Sequence, residues 1–225
     1  MHAAHNTAGT TGRTPVLRVD DVHTSYGRHP VLRGASLSLA AGHLGGVVGE
    51  NGSGKSTLLQ LLAGRLAPDR GAIRRPADFG YCPQRTILHP AFTVQQHLRF
   101  FQVAYGLRNL DRADHLMDVL GFAGHRHRQV STLSGGTQQK LNLTLALMHD
   151  PPLLLLDEPY QGFDWETYER FWELASDLKE RGSSVLIVSH LAFDLTRFDQ
   201  LWRLRGGRLL DDTRAERTAA NGESR

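Results

Sequence analysis

The sequence has one cysteine, Cys82, and no long hydrophobic run. A single thiol excludes an internal disulfide and is typical of a protein in a reducing compartment. No apolar stretch approaches the about 20 residues of a membrane-spanning helix, so a role at a membrane would need another chain. The chain has 12 histidines, but none has metal-ligand spacing. His125 and His127, in an Arg-rich loop, are predicted to lie on the surface.

Charge of one sign is not concentrated anywhere in the chain. The 26 basic and 23 acidic residues are dispersed and leave a net charge of +3. Dispersed charge indicates solvated faces and ion pairs rather than a nucleic-acid groove, so no nucleic-acid partner is expected. Residues 1–15 lack the apolar segment of a secretory signal, and we expect them and the polar residues 212–225 to be disordered.

Strands that alternate with helices predict a mainly parallel sheet. Residues 16–42 have the pattern of antiparallel strands. Residues 93–124 have that of helices, with Asp111 as a predicted N-cap and Gly121 as a predicted C-cap. Short buried strands are predicted at 45–49, 79–84, 153–157 and 184–190, helices at about 56–66, 135–149 and 165–181, and a hairpin turn at Gly206 and Gly207.

The strongest motif is GENGSGKS, residues 49–56, which fits the phosphate-binding pattern G-x-x-x-x-G-K-[ST]. An apolar strand is predicted before it and an apolar helix after it, as the motif requires. Backbone N–H groups from Gly52 to Lys55 can wrap a β-phosphate. The Lys55 ammonium can reach the β- and γ-oxygens, and the Ser56 hydroxyl can ligate Mg²⁺. The competing interpretation is a Gly-rich turn without a ligand.

Polar side chains stand at the ends of three predicted strands. Asp157 and Glu158 end LLLLDE, where Asp157 can hold the Mg²⁺ shell and Glu158 can take a proton from an attacking water. His190 ends VLIVSH and can donate to a γ-phosphate oxygen, and the amide of Gln84, at the end of FGYCPQ, can reach Mg²⁺ and water. Each residue alone has a plainer interpretation as a cap, turn or strand terminus. Their combination with the phosphate loop favours catalysis.

A second glycine-rich turn, LSGG at 133–136, precedes a predicted helix; we call it the signature turn. A helix start presents free N–H groups and the positive end of a dipole, so this turn can hold a phosphate as well. An ordinary serine N-cap explains Ser134, but not the whole run.

Taken together, GENGSGKST, Gln84, LSGGTQQ, LLLLDEP, DEPYQGFD and VSHL occur in the order and spacing of the ATP-binding-cassette (ABC) ATPases. The sequence resembles that family from about residue 17 to 211, and the LSGG element is specific to it among phosphate-loop proteins. The resemblance implies an α/β phosphate-loop NTPase domain at 16–211. Its sheet would be mainly parallel, with an N-terminal antiparallel β subdomain and an inserted α-helical subdomain at about 85–150.

The resemblance also implies ATP and Mg²⁺ as ligands and a nucleotide-sandwich dimer, in which the signature turn of one copy caps the ATP of the other. The nucleotide residues it implies are Gly49, Glu50, Asn51, Gly52, Ser53, Gly54, Lys55, Ser56, Thr57, Ser134, Gly135 and Gly136. It assigns Mg²⁺ to Ser56, Gln84 and Asp157, and catalysis to Glu158, His190, Lys55 and Gln84.

Two further residues match family positions. Tyr26 matches the aromatic residue that stacks on adenine, although a tyrosine in an edge strand can also be purely structural. Asp164 matches the acid that ends the D-loop, YQGFD at 160–164, and crosses the dimer interface; it is also a predicted helix N-cap. The sequence departs from the commonest family form at Thr137, where a glutamine is usual, and within the D-loop. These departures bear on the geometry of the interface rather than on the catalytic set.

The segment TVQQHLRFFQVAYGL resembles the insert of cassettes that serve drug, lipid or polysaccharide exporters with separate membrane subunits. The expected protein is therefore a homodimeric ATPase on the inner face of the cell membrane, with integral membrane permease subunits docking around 84–100. Exposed apolar residues such as Phe92 should mark that groove. A soluble ABC ATPase acting on ribosomes or DNA is the alternative, and a non-hydrolysing scaffold is a third possibility that conflicts with Glu158 and His190.

Overall fold

The computed structural model describes residues 15–85, 88–190 and 195–213. The predictions for 1–15 and 212–225 fall almost entirely outside these ranges. The strands are β1 (Pro15–Tyr26), β2 (His29–Ala40), β3 (Leu44–Val48), β4 (Arg70–Arg74), β5 (Gly80–Cys82), β6 (Leu153–Asp157), β7 (Ser184–Ser189), β8 (Gln200–Arg205) and β9 (Arg208–Asp211). The α-helices are α1 (Lys55–Leu62), α2 (Val94–Ala104), α3 (Asp111–Val119), α4 (Gly135–Leu147) and α5 (Trp165–Glu180).

Two sheets form the scaffold. The larger has the order β5-β6-β7-β3-β8-β9 and is parallel except for β9. The smaller is antiparallel with the order β2-β1-β4. The fold class is therefore the predicted α/β arrangement, with an N-terminal antiparallel sheet and a helical segment between β5 and β6. No helix in the described ranges is both long and apolar enough to cross a bilayer.

The larger sheet separates two hydrophobic clusters. Leu153 and Leu155 of β6 belong to the cluster shared with α1 and the smaller sheet. Leu154 and Leu156 belong to the cluster shared with α3, α4 and α5. This alternation follows from the two-residue period of a strand, and it explains why β6 is an unbroken apolar run.

The first helix is shorter than predicted, ending at Leu62 rather than near Leu66. Gly64 adopts a left-handed φ of 72°. The Arg65 amide donates to the Gln60 carbonyl over 2.8 Å and the Gly64 amide to the Leu61 carbonyl over 3.0 Å. These two bonds form a Schellman motif, which closes the helix before the proline signal downstream.

One predicted cap is wrong, because Asp111 is not the N-cap of α3. Leu110 is the N-cap and Asp111 the first helical residue; the Leu110 side chain makes no cap hydrogen bond, and the Asp111 amide donates to Asn109 Oδ1 over 3.3 Å. The Asp111 carboxylate still lies in the first turn of α3, where its negative charge interacts favourably with the positive end of the helix dipole. Gly121 follows the C-cap Leu120 with a φ of 68°, as a helix-terminating glycine does. Strand β4 was not predicted, because its sequence RGAIR has no apolar alternation; it is held by pairing with β1.

Candidate active site

The strand order places the candidate residues in a row along one edge of the larger sheet. Strands β5, β6, β7 and β3 are neighbours and parallel, and their carboxyl ends lie level, with Cys82 opposite Leu156 and Val48 opposite Ser189. Neighbouring strands are separated by about 4.8 Å. The segments that follow these strands carry Gln84, Glu158, His190 and the phosphate loop. A parallel sheet thus assembles what the chain keeps far apart.

The phosphate loop depends on two glycines in left-handed conformation. Gly52 has φ 79° and Gly54 has φ 105°, and Gly54 is also the N-cap of α1, where no side chain accepts a hydrogen bond. A Cβ on Gly54 would come within 2.9 Å of a Val31 methyl group. The first N–H groups of α1 therefore face an open, uncapped helix end, which is the arrangement that binds phosphate.

The Lys55 ammonium lies inside the loop. Its Nζ donates to the carbonyl of Gly49 over 2.7 Å and to that of Glu50 over 2.9 Å. Burial lowers the pKa of Lys55, whereas the nearby Glu158 and Asp157 carboxylates oppose that shift. The loop thus holds a cation beneath the helix end, ready to exchange carbonyl oxygens for phosphate oxygens.

The pair formed by Asp157 and Ser56 fits a magnesium ion. Asp157 is 5% exposed, and burial raises its pKa to about 6, against the hydrogen bond from the Ser56 hydroxyl. A buried carboxylate with a raised pKa is stabilised by an added cation, and carboxylate and hydroxyl oxygens are hard ligands of the kind Mg²⁺ takes together with phosphate oxygens. In the described ranges no three His, Cys, Asp or Glu side chains cluster to hold a metal.

Glu158 and His190 are in direct contact. His190 Nδ1 lies 2.5 Å from Glu158 Oε1, and the Glu158 side chain is 8% exposed. Glu158 has a φ of 48°, unusual for a residue with a side chain, and its amide donates to the Val188 carbonyl over 2.9 Å. Such a conformation costs on the order of 1–3 kcal/mol and persists where the surroundings impose it, which is common at functional sites. In this conformation the Glu158 carboxylate reaches His190, which directly follows the adjacent strand β7.

A cleft of about 740 Å³ opens beside the phosphate loop. Its lining combines residues 49–53 with His190 and with part of the β8–β9 hairpin. The hairpin was predicted as a turn but not as part of the site, because its position next to β3 depends on non-local strand pairing. Ser53 Oγ has no hydrogen-bond partner although it is buried in this loop. An unpaired polar atom at a cleft wall suits a ligand's polar group.

Several predicted site residues are not among the residues that line this cleft: Tyr26, Gly54, Lys55, Ser56, Thr57, Gln84, Asp157, Glu158 and Asp164. Tyr26, at the end of β1, is 51% exposed and does not line the cleft. Gln84 is exposed two residues after β5, at the far end of the row of strands. Asn142 of α4 donates to the Pro83 carbonyl over 3.0 Å, so the chain just before Gln84 is tied to the helix that follows the signature turn.

Residues 133–140, which include the signature turn, are likewise not among the residues that line this cleft. Ser134 is the N-cap of α4 and accepts from the Thr137 amide over 3.2 Å. Gly136 packs against Gly162 of the D-loop, where an added Cβ would lie 2.4 Å from the Gly162 carbonyl oxygen. Asp164 caps α5 through the Thr167 amide over 2.8 Å, as predicted.

Comparison with known proteins places this arrangement in a family. The model of the family described as "ABC transporter" matches residues 32–161. The linearmycin resistance ATP-binding protein LnrL of Bacillus subtilis is 31% identical over 78% of this chain and 61% of its own length. The Nod factor export ATP-binding protein I of Ralstonia nicotianae is 32% identical over 88% of this chain and 66% of its own length.

A solved structure described as the ATP binding subunit of an ABC transporter superposes with a TM-score of 0.83 at 28% identity, covering 92% of this chain and 93% of that one. The chain spans less than two thirds of the length of the two bacterial relatives. Because the family model covers more than half of the chain and includes both the phosphate loop and the carboxylates of Asp157 and Glu158, the chain belongs to the ABC transporter family.

Proposed function

We propose that this chain is the ATP-hydrolysing subunit of an ABC exporter, that it works as a nucleotide-sandwich dimer, and that it lies on the cytosolic face of the membrane against separate permease subunits. The observation that carries the proposal is the division of the site. Residues 49–53 of the phosphate loop and His190 line one cleft, whereas residues 133–140 are not among its lining residues and Gly136 packs against Gly162 of the D-loop instead. A second copy can supply the missing cap from the opposite side.

The described residues account for hydrolysis of the γ-phosphate. The Glu158 carboxylate accepts a proton from a water as that water's oxygen bonds to the γ-phosphorus, and the bond to the β–γ bridging oxygen breaks to leave ADP and phosphate. Lys55 stabilises charge on the phosphate oxygens, and His190 orients Glu158 over 2.5 Å. Mg²⁺, when held by Ser56 and Asp157, would neutralise charge on the β- and γ-oxygens.

Two observations favour export through a permease. The relatives include proteins named for linearmycin resistance, Nod factor export and probable multidrug transport. A groove of about 210 Å³ also opens between α2, α4 and β5, and its wall includes Leu88, Phe101 and Tyr105. Phe92, predicted to mark this groove, is 39% exposed but packs against His89 and His97 instead of lining it.

Complementation tests the sandwich. In a Glu158→Gln background that binds ATP without turnover, Lys55→Ala and Ser134→Ala are placed on separate, differently tagged copies. The mixed dimer then has one composite site with both residues intact. It should retain about one ATP per dimer after gel filtration, whereas either variant alone should retain none.

The matched control mixes an otherwise unaltered copy with one carrying both substitutions. In the heterodimer, isolated through both tags so that homodimers of the unaltered copy are removed, each composite site has one defect and no ATP should be retained. If ATP is instead retained by the control heterodimer and not by the first one, the two residues act on the nucleotide within one subunit and the sandwich is wrong.

The groove is tested with Leu88→Asp, and with Leu210→Asp on β9 as a control, since Leu210 is 53% exposed and does not line the groove. The probe is the membrane protein encoded by the neighbouring open reading frame, which is expected to have about six apolar segments of about 20 residues. Membranes that contain this protein should retain the Leu210→Asp control but not Leu88→Asp. Equal basal ATPase rates would show that both variants fold. Retention of both would refute docking at this groove.

A further inference from the structure

The hydroxyl that the signature turn offers is already engaged by a residue three positions further along the chain. Ser134 Oγ lies 2.9 Å from Thr137 Oγ1 and accepts from the Thr137 amide over 3.2 Å. Thr137 therefore contacts the Ser134 oxygen twice, through its backbone and through its side chain. The glutamine usual at this position has an amide at the end of a longer chain instead of a hydroxyl on Cβ.

Counting hydrogens shows what the second contact does. A hydroxyl has one hydrogen and two acceptor positions. If Ser134 donates to Thr137, its only hydrogen is spent inside the turn. If Thr137 donates, both acceptor positions of Ser134 are filled by Thr137 and the Ser134 hydrogen remains available outside the turn. Only the second arrangement gives a donor to a phosphate oxygen, and an approaching anion favours it.

The usual alternative acceptor for the Thr137 hydroxyl is already bonded. A threonine within a helix commonly donates to the carbonyl four residues earlier, which here is that of Leu133. The Gln138 side-chain amide donates to the Leu133 carbonyl over 3.2 Å and to the Val130 carbonyl over 3.2 Å. The Thr137 hydroxyl lies 2.9 Å from Ser134 Oγ instead, and this oxygen is its partner in the structure.

We propose that Thr137 is a positioning residue for nucleotide capping: its hydroxyl donates to Ser134 Oγ and so directs the Ser134 hydrogen to the γ-phosphate held by the partner subunit. The inference rests on the proposed sandwich dimer, and it concerns how the capping hydroxyl is oriented. Thr137 itself does not touch the phosphate.

The test measures the ATP concentration that half-saturates dimer formation in the Glu158→Gln background, for four variants. Thr137→Val removes the hydroxyl but keeps the branched shape and should raise that concentration about three- to tenfold, the range expected for one hydrogen bond. Thr137→Ser keeps the hydroxyl and should stay within about twofold. Ser134→Ala, and Ser134→Ala combined with Thr137→Val, complete a double-mutant cycle.

In the Ser134→Ala background, Thr137→Val should have no further effect, since no hydroxyl is left to orient. An equal effect of Thr137→Val in both backgrounds would overturn the inference, because a merely structural role does not depend on Ser134. So would a loss with Thr137→Ser as large as that with Thr137→Val. If Ser134→Ala itself leaves ATP-driven dimer formation unchanged, the sandwich fails too, and that result is distinct from the other two.

Discussion

Gly136 of the signature turn and Gly162 of the D-loop touch backbone to backbone, with the Gly162 carbonyl positioned 2.4 Å from where a Cβ on Gly136 would stand. Gly162 has a φ of 78°, which a residue with a side chain adopts only with strain. The turn proposed to cap a partner's nucleotide is thus fixed to the loop that leads from Glu158 to α5. A shift of one must be accommodated by the other.

Gly136→Ala should therefore destabilise the protein, by about 1–3 kcal/mol, because the methyl group forces backbone apart from backbone. Gly135→Ala is the matched control, since a Cβ on Gly135 meets no atom within 4 Å. Alanine also favours the first turn of a helix over glycine. Urea unfolding of both variants measures the difference. Equal stabilities would show that the D-loop yields freely.

Glu158→Gln should lower the steady-state ATPase rate by about 10²–10⁴-fold, the range for loss of a general base, while ATP still binds. Glutamine keeps an oxygen that can accept from His190, so the local fold should persist. Glu166→Gln is the control, because that carboxylate is exposed and pairs with Arg170 on the surface of α5. A rate for Glu158→Gln near that of the control would remove Glu158 from the catalytic role.

Tyr160, the first residue of the D-loop, anchors it to the core. Its ring contacts those of Tyr168 at 5.3 Å and Phe171 at 5.6 Å between centroids. Its hydroxyl hydrogen-bonds the Ser189 side chain, and burial raises its pKa to about 12. Because Ser189 immediately precedes His190, this bond links the two loops that carry the Glu158–His190 pair.

Tyr160→Phe should cost about 1 kcal/mol of unfolding free energy, since one buried hydrogen bond is lost while the ring remains. It should also lower the ATPase rate more than Tyr168→Phe, which removes a hydroxyl from the same group of rings. Chemical unfolding and steady-state kinetics check the two parts. A Tyr160→Phe protein identical to wild type in both would show that the ring alone holds the loop.

His97 provides a pH dependence. Its Nδ1 donates to the Thr93 carbonyl over 3.0 Å, and its Nε2 accepts from the His89 amide over 3.0 Å. Burial lowers the pKa of His97 from its ordinary value of 6.5, with a smaller contribution from the neighbouring His89. The neutral ring is therefore the form that the fold selects.

The unfolded chain binds this proton more tightly than the folded protein does, so stability is full above pH 6.5 and is lost as the pH falls below it. His97→Gln keeps an acceptor for the His89 amide but does not titrate. The stability difference between wild type and His97→Gln should shrink as the pH falls from 7.5 to 5.5. Urea midpoints at both values measure it, and a constant difference would contradict the assignment to His97.

Local sequence determined the elements whose causes are local. The glycines of 49–54 allow the phosphate loop, Asp164 caps α5, and the apolar run LLLLD requires a strand buried on both faces. Strand β4 and the early end of α1 escaped prediction. The first depends on pairing with β1, and the second on a left-handed glycine whose effect the apolar pattern does not show.

Sequence alone determined which residue types are present for phosphate, Mg²⁺ and proton transfer, because those chemistries demand particular side chains at fixed spacing. Only the tertiary structure decided which of them meet. It brought His190 within 2.5 Å of Glu158 and placed the β8–β9 hairpin on the cleft. It also packed Gly136 of the signature turn against Gly162 of the D-loop. The physical reason is that strand order and backbone contact join residues far apart in the chain, and no local pattern encodes the distance between them.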